Sequence, residues 1–244
     1  MFLNNTLHVS NSLIACCIFA MYIIVAWWLK FQKRLNIGFW EAIILAITHC
    51  VTGVIAMRLW AIIEAGVSLS DAPNLRIYGA LFLQPPCYYL WAKLRKKDIS
   101  LAIDAATVVC LIAWIPGRFN CILQGCCDGI CIFPGSDIHW PLREMEILWS
   151  ILYAIIFGKK VLNQKTYGQG FGSMLLSYGV FRFAIEWLRE EYTGQLGVFH
   201  LAHIWSLLAM AIGAVMLYKV RKQIQPGGNR RNDAKSKNLA KGGK

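Results

Sequence analysis

The sequence predicts an all-α, polytopic integral membrane protein of seven transmembrane helices, with its N-terminus outside and its C-terminus in the cytoplasm. Three observations predict it. Of 244 residues, 57% are hydrophobic and only 16% charged, and the mean hydropathy is +0.47, too apolar a balance for a water-soluble domain of this size. Seven segments approach the roughly 20 apolar residues that a helix needs to cross hydrocarbon. Lysine and arginine collect in alternate connections, the bias that sets orientation in a bilayer.

The first span covers residues 13–29 and lacks both a basic leader and a small-residue cleavage site, so it reads as an anchor and not as a cleaved signal. The second, 39–65, opens on Glu41, and the fourth, 99–115, opens after Asp98. A carboxylate favours a helix N-terminus, so both acids read as structural. The third (77–92) and fifth (147–157) are short or interrupted, which leaves their ends soft. The sixth covers 171–188 and the seventh 198–218. Residues 1–222 thus form one membrane domain, and 223–244 a basic tail with the low apolar content of disordered ends.

Charge then orients the chain. Lys30, Lys33 and Arg34, then Lys93, Arg95, Lys96 and Lys97, then Lys159, Lys160 and Lys165 fall on one side, together with the tail. Only Arg76, Arg118, Arg143 and Arg189 fall on the other, while Arg58 and Arg182 lie within spans. The net charge of +12 is therefore mostly a topology signal, with anionic lipid as its partner; nucleic acid is not needed.

Ionisable groups inside hydrocarbon are costly and mark function by default. In SYGVFRFAIEWLRE, Tyr178, Arg182, Glu186 and Arg189 recur at steps of four, four and three, which puts them on one helical face. Arg182 and Glu186 can neutralise each other, but that leaves Arg189 and the tyrosine over. Arg58 has no acid three or four positions away and needs a counter-charge from another helix or a ligand, Glu64 being on a different face. Arg118, Arg143, Glu146, Arg189, His200 and His203 all fall at the outer ends of their helices. Such a basic cluster attracts phosphate, and the planar fork of arginine suits that partner. Asp104 lies deeper and reads as a hydrogen-bonding group to a neighbouring helix, with catalysis as the alternative. Gly79, Gly172 and Gly179 permit close helix approach or serve a wide lipid-holding cavity.

Nine cysteines divide in two. Cys16, Cys17, Cys50, Cys87 and Cys110 lie in spans and read as small apolar fillers. Cys121, Cys126, Cys127 and Cys131 lie together on the outer side, in and after GRFNCILQGCCDG. Their C-x4-C-C-x3-C spacing matches no common zinc pattern, so no metal and no cofactor is assigned; disulfide formation stays open.

Several dispersed motifs, from the second span to the seventh, resemble the prolipoprotein diacylglyceryl transferases. IAMRLWAII is similar to an early arginine segment of that family, LRIYGALFL to its His-Gly-Gly-Leu-Ile-Gly segment, and GRFNCILQGCCDG to its Gly-Arg-x-Gly-Asn signature with trailing glycines. WPLREMEI resembles the opening His-Pro-x-Gln-x-Tyr-Glu of the next helix, and YGVFRFAIEWLRE is close to Tyr-Gly-x-x-Arg-Phe-x-x-Glu-x-x-Arg. The resemblance implies an enzyme of the bacterial plasma membrane, active at the outer leaflet. It would move the diacylglyceryl group of phosphatidylglycerol to the lipobox cysteine of a prolipoprotein, in lipoprotein biosynthesis.

By that resemblance Arg118 and Arg182 are essential arginines and Tyr178 a catalytic tyrosine. Arg58, Gly79, Cys121, Gly125, Gly129, Glu146, Glu186 and Arg189 are binding residues, and Tyr78 counts with the catalytic groups. Four positions depart from the pattern: Tyr78 stands where a histidine base is expected, Cys121 where asparagine is, Cys126 where an acid is, and Arg143 where glutamine is. A phenol of pKa about 10 is a poor base near neutrality, so His200 or His203 is the replacement expected, against a merely interfacial role. Second to transfer stands a non-catalytic phospholipid- or lipoprotein-binding relative; third is a membrane thiol oxidoreductase, and a small-molecule transporter lacks any visible repeat.

Overall fold

The computed structural model describes residues 2–66, 76–135, 137–163, 165–189, 195–196 and 199–224. It is helical nearly throughout: α1 (Phe2–Leu29), a short α2 (Gln32–Leu35), α3 (Phe39–Ala65), α4 (Ile77–Leu94), α5 (Ile99–Gln124), α6 (Leu142–Leu162), α7 (Gly170–Glu186) and α8 (Leu201–Ile224). Two strands of two residues each, β1 (Gln195–Leu196) and β2 (Phe199–His200), pair antiparallel just before α8. The seven long helices follow the seven hydrophobic segments in order. Four of them, α1, α3, α5 and α8, are long and apolar enough to cross a membrane, which makes this an all-α integral membrane protein. Helices α4 and α7 have only 18 and 17 residues, and α6 has charges at both ends.

Helix α5 is the axis of the bundle and packs against α1, α4, α6 and α7. Small residues make this possible: Ala102, Ala105 and Ala106 are fully buried, so neighbouring backbones come close. Polar cross-links replace the hydrophobic effect that helices lack inside lipid. Trp27 donates from Nε1 to the Ala105 carbonyl at 3.0 Å, tying α1 to α5, and Ser150 donates from Oγ to the Leu111 carbonyl at 2.6 Å, tying α6 to it. Gln84 donates to the His49 carbonyl at 2.8 Å and joins α4 to α3. Outward faces are apolar and exposed, as with Ile14 and Ile18 on α1, Val51 and Ile55 on α3, and Leu148, Leu152 and Ile155 on α6. Surfaces of this kind suit lipid and not water.

The acids behave as local chemistry dictates. Asp98 caps α5, accepting from the Leu101 N–H at 3.2 Å. Asp104 is buried and accepts from the N–H groups of Gly168 and Gly170 at 2.7 Å each, which pins the first turn of α7 against α5. Glu41 meets Arg95 and Lys97 where α3 starts and α4 ends. Gly79 is needed for contact: a Cβ there would sit 2.1 Å from the Ala56 carbonyl oxygen, so α4 crosses α3 at backbone distance. Gly172 and Gly179 likewise lie against α8, which favours the close-approach reading of all three.

Three expectations need correction. The fourth span does not stop at residue 115: Pro116 lies inside α5, which continues to Gln124 before Gly125 closes it in the left-handed region. Arg118 and Cys121 are therefore helical residues and not loop residues. Helix α6 begins five residues earlier than expected, at Leu142, and so includes Arg143 and Glu146. Helix α7 ends at Glu186, leaving Arg189 on the turn beyond it. The start of the seventh span at Val198 and the tail from 225 lie outside the described residues; residues 223 and 224 still belong to α8.

Candidate functional site

One end of the bundle gathers the C-terminal ends of α3, α5 and α7 and the N-terminal ends of α4, α6 and α8. At its centre is Glu146, fully buried one turn into α6. Three guanidinium groups meet it: Arg118 from α5 at 2.5 Å, Arg182 from α7 at 3.1 Å and Arg189 from the following turn at 3.4 Å. Glu186, also buried, takes a second nitrogen of Arg182 at 2.6 Å and Arg189 Nε at 3.6 Å. Among the described residues two carboxylates thus face three arginines, which leaves one positive charge in excess. Buried ions persist only when paired and hydrogen-bonded, so the four-four-three spacing of α7 is what lets one helix face enter the cluster.

Some donors at this site are not used. Among the described residues Arg182 Nε and the Tyr178 hydroxyl are buried without a hydrogen-bond partner. Tyr178 is held by packing alone, its ring 4.7 Å from Trp114 and 5.2 Å from Trp149 between centroids. Tyr78 lies nearby, its ring tilted and 6.5 Å from that of Tyr178, but its hydroxyl donates to the Ala202 carbonyl at 3.1 Å and shares a 3.0 Å bond with Ser206 Oγ. It anchors α4 to α8.

The two histidines sit behind the carboxylates. His200 Nδ1 lies 3.8 Å from Glu186 Oε1, and the His200 backbone N–H donates to His203 Nδ1 at 3.0 Å. His203 packs against Trp187 and Phe183. Neither lines the cavity described next.

That cavity, of about 370 Å³, is walled by Arg118, Arg182 and Arg189 on one side and by Tyr78, Arg76 and Glu64 on another. A second cavity of about 350 Å³ is almost wholly apolar, running between α1, α3, α4 and α5 past Ile24, Val54 and Leu81. Met57, Ile77, Trp114, Gly117 and Asn120 line both, so the charged chamber adjoins a greasy one. The sequence did not single out Asn120, nor the Arg76–Glu64 pair at 3.3 Å that closes the far wall; adjacency to Arg118 and to the LRIYG segment were the only signals for them. Arg58, half-buried on α3, and Gly79, at the α3–α4 crossing, are not among the residues that line the charged chamber.

The loop after α5 completes the chamber. Arg143 pairs with Asp128 and donates to the Cys126 carbonyl at 3.2 Å, so it braces the loop. Gly129 packs closely inside this loop. Its missing Cβ makes room for Trp140 and for the Leu188 carbonyl, which would lie 2.8 Å away, and a bridge there binds the loop to Arg189. Gly125 only ends α5.

The four outer cysteines do not stay together. Cys131 sits 3.8 Å from His139 Nε2, while Cys121, Cys126 and Cys127 converge, their sulfurs all within 4.8 Å of one another, on the chamber wall. Cys127 takes φ +64° to do so, a left-handed conformation that costs a residue with a Cβ about 1–2 kcal/mol. A hydrogen bond from Cys121 holds the Cys127 thiol down to about 5, and the Arg189 and Arg118 guanidiniums act in the same direction. Among the described residues, which include all nine cysteines, none forms a disulfide.

Comparison with known proteins agrees with this arrangement. The family model for prolipoprotein diacylglyceryl transferase matches residues 6–219, and the chain belongs to that family. A phosphatidylglycerol–prolipoprotein diacylglyceryl transferase of Clostridium tetani (strain Massachusetts / E88) is 25% identical over 202 residues, 73% of this chain and 81% of that one. The second such enzyme of Clostridium perfringens (strain 13 / Type A) is 24% identical over 197 residues, 70% and 75% of the two chains. That of Dehalococcoides mccartyi (strain CBDB1) is 23% identical over 229 residues, 83% and 86%.

Proposed function

From membership of that family and the chemistry of its charged chamber, we propose that this chain transfers the diacylglyceryl group of phosphatidylglycerol to the lipobox cysteine thiol of prolipoproteins. The observation that carries the reading is the junction of the two cavities. A phospholipid is an anion with two hydrocarbon chains; the arginine chamber offers one excess positive charge and open donors, and the adjoining apolar cavity accepts acyl chains. A phosphodiester bears one negative charge, which matches that excess.

In the reaction the thiol sulfur attacks the glyceryl carbon. The C–S bond forms while the ester C–O bond to the phosphate breaks; the electron pair leaves on the phosphate oxygen of glycerol phosphate, and the thiol proton is released to water. Charge grows on that oxygen, and fixed guanidiniums in a water-poor chamber stabilise it without having to reorganise. Arg118, Arg182 and Arg189 serve this purpose, positioned by Glu146 and Glu186. Tyr178 supplies an uncommitted hydroxyl beneath them. His200 faces Glu186 and His203 holds the His200 backbone in place, positioning roles.

Topology follows from the same reading. Seven spans, with the lysine-rich ends in the cytoplasm, put the chamber at the outer leaflet of a bacterial plasma membrane, where the signal peptide of an exported prolipoprotein presents its cysteine. The exposed apolar stripe of Leu148, Leu152, Ile155 and Ile156 on α6 supports lipid contact for that helix too. Residues 1–222 are the membrane domain, and its partners are phosphatidylglycerol, the prolipoprotein signal peptide and the bilayer.

Purified protein incubated with phosphatidylglycerol and a lipobox peptide is expected to yield a peptide heavier by one diacylglyceryl group in mass spectrometry. Absence of the adduct overturns the assignment. Phospholipid binding without transfer is then the reading left, and one observation favours it: the Tyr78 hydroxyl is committed to Ala202 and Ser206.

A further inference from the structure

The geometry points to a zinc site made of Cys121, Cys126 and Cys127, with its fourth coordination position open to the chamber for the thiol of the acceptor peptide. The metal site stands on the thiol geometry; the identity of its fourth ligand rests on the transferase reading above.

Three sulfurs converge from two structural units, the last turn of α5 and the turn that follows it. They already lie within 4.8 Å of one another, and a tetrahedral zinc with Zn–S bonds of about 2.3 Å needs its sulfurs about 3.8 Å apart. Movements of about 1 Å or less in short side chains close the difference. The backbone is strained to bring them there, since Cys127 is held in the left-handed region; strain of this kind clusters at functional sites. Cys131, the fourth cysteine of the segment, is turned away to His139. Structural zinc sites have four protein ligands, whereas sites that do chemistry have three and leave one position for water or substrate. Among the described residues this one has three, and all three line the chamber.

The chamber also lacks another obvious acceptor for the thiol proton. Among the described residues lining it there is no histidine, and its carboxylate, Glu64, is bound to Arg76 at 3.3 Å. Zinc resolves this by coordination. When R–SH binds, its proton passes to water and a zinc-bound thiolate remains. That sulfur attacks the glyceryl carbon, the C–O bond to phosphate breaks, and the neutral thioether, a poor ligand, leaves the metal. Soft thiolate ligands select zinc over magnesium or calcium.

The test uses the full chain in detergent, reduced and stripped of metal. Titration with zinc against a chromophoric chelator is expected to show one equivalent bound, at least 100-fold more weakly after C121S, C126S or C127S and unchanged after C131S. Elution of each variant as a single species excludes misfolding as the cause of a loss. With cobalt in place of zinc, a lipobox peptide should intensify the sulfur-to-metal absorption, and the same peptide with serine at the acceptor position should not. Equal zinc binding by the three variants and the intact protein overturns the site. A cobalt spectrum indifferent to the thiol peptide overturns the fourth ligand. Full transfer to the peptide by the metal-free protein overturns the zinc role and leaves the transferase reading standing. A site that binds zinc and thiol in a protein that forms no adduct does the reverse.

Discussion

Two carboxylates near opposite ends of the bundle show how differently the same ion pair can be employed. Glu41 meets Arg95 at 3.4 Å and Lys97 at 3.8 Å, and the Arg95 side chain is 61% exposed. Glu146 meets three arginines at 2.5–3.4 Å and is itself wholly buried. Pairs of the first kind lie in high dielectric and are worth about 0–1 kcal/mol. The second kind costs several kcal/mol per ion in lost hydration, which only close pairing returns. A packed apolar cluster would hold α5, α6 and α7 together at least as well, so packing alone does not call for the charge around Glu146; on the proposed reading it holds guanidinium groups ready for a phosphate.

The largest effect should come from unbalancing that store. In E146Q the shape is kept, but Glu186 alone faces three arginines. Removing one partner of a buried ion cluster costs about 3–5 kcal/mol, so the midpoint of thermal unfolding in detergent should fall markedly and transfer to a lipobox peptide should be lost. A variant as stable and active as the native chain would show that the arginines do not depend on this carboxylate.

R182K comes next. Arg182 spans Glu146 and Glu186 with separate nitrogens, a fork that the compact ammonium of lysine cannot reproduce. Loss of one fixed donor to a developing oxyanion lowers rates by about 100- to 1,000-fold. The transfer rate should fall by that order while phosphatidylglycerol binding weakens less; an equal fall in both would reduce Arg182 to a simple docking group.

The same guanidiniums reach the thiol loop, which gives a smaller and more specific effect. The thiolate is the form that alkylates, and the Cys127 thiol is held at about 5 first by Cys121 and then by Arg189 and Arg118. In metal-free protein the iodoacetamide labelling rate of Cys127, followed by peptide mass spectrometry, should stay level from pH 8 to 6 and halve near 5. An ordinary thiol, titrating near about 8.5, slows tenfold per unit below that value. A Cys127 profile with its midpoint above pH 8 would dissociate the loop from the arginine cluster.

Much of this was legible in the sequence, and the part that was not has a common cause. Hydropathy is local, so a long helix stands at each of the seven apolar segments, though only four are long and apolar enough to cross a membrane, and the helical period alone put Tyr178, Arg182 and Glu186 on one buried face. The fourth span reads as ending at residue 115, yet α5 runs on through Pro116 for about two turns of half-buried and exposed residues and delivers Arg118 to Glu146 from a helix. That Glu146 is the shared partner depends on the relative depths of α5, α6 and α7, which no single segment records. The thiol cluster depends on one cysteine entering a conformation that cysteines avoid, while four equivalent-looking thiols in the sequence gave no means of telling Cys131 from the other three.

The smallest predicted effect is the control that gives the others meaning. E41Q removes the counter-charge of Arg95 and Lys97 at the lysine-rich end, where water and salt screen what remains. Lys97 keeps its 2.5 Å bond to the Asn36 carbonyl, so the α2–α3 turn stays fastened to the end of α4. Unfolding in detergent should move by less than about 1 kcal/mol, and transfer should be unchanged. If E41Q proved as damaging as E146Q, burial would not be what separates the two sites, and the Glu146 cluster would have to be read as one more structural clamp.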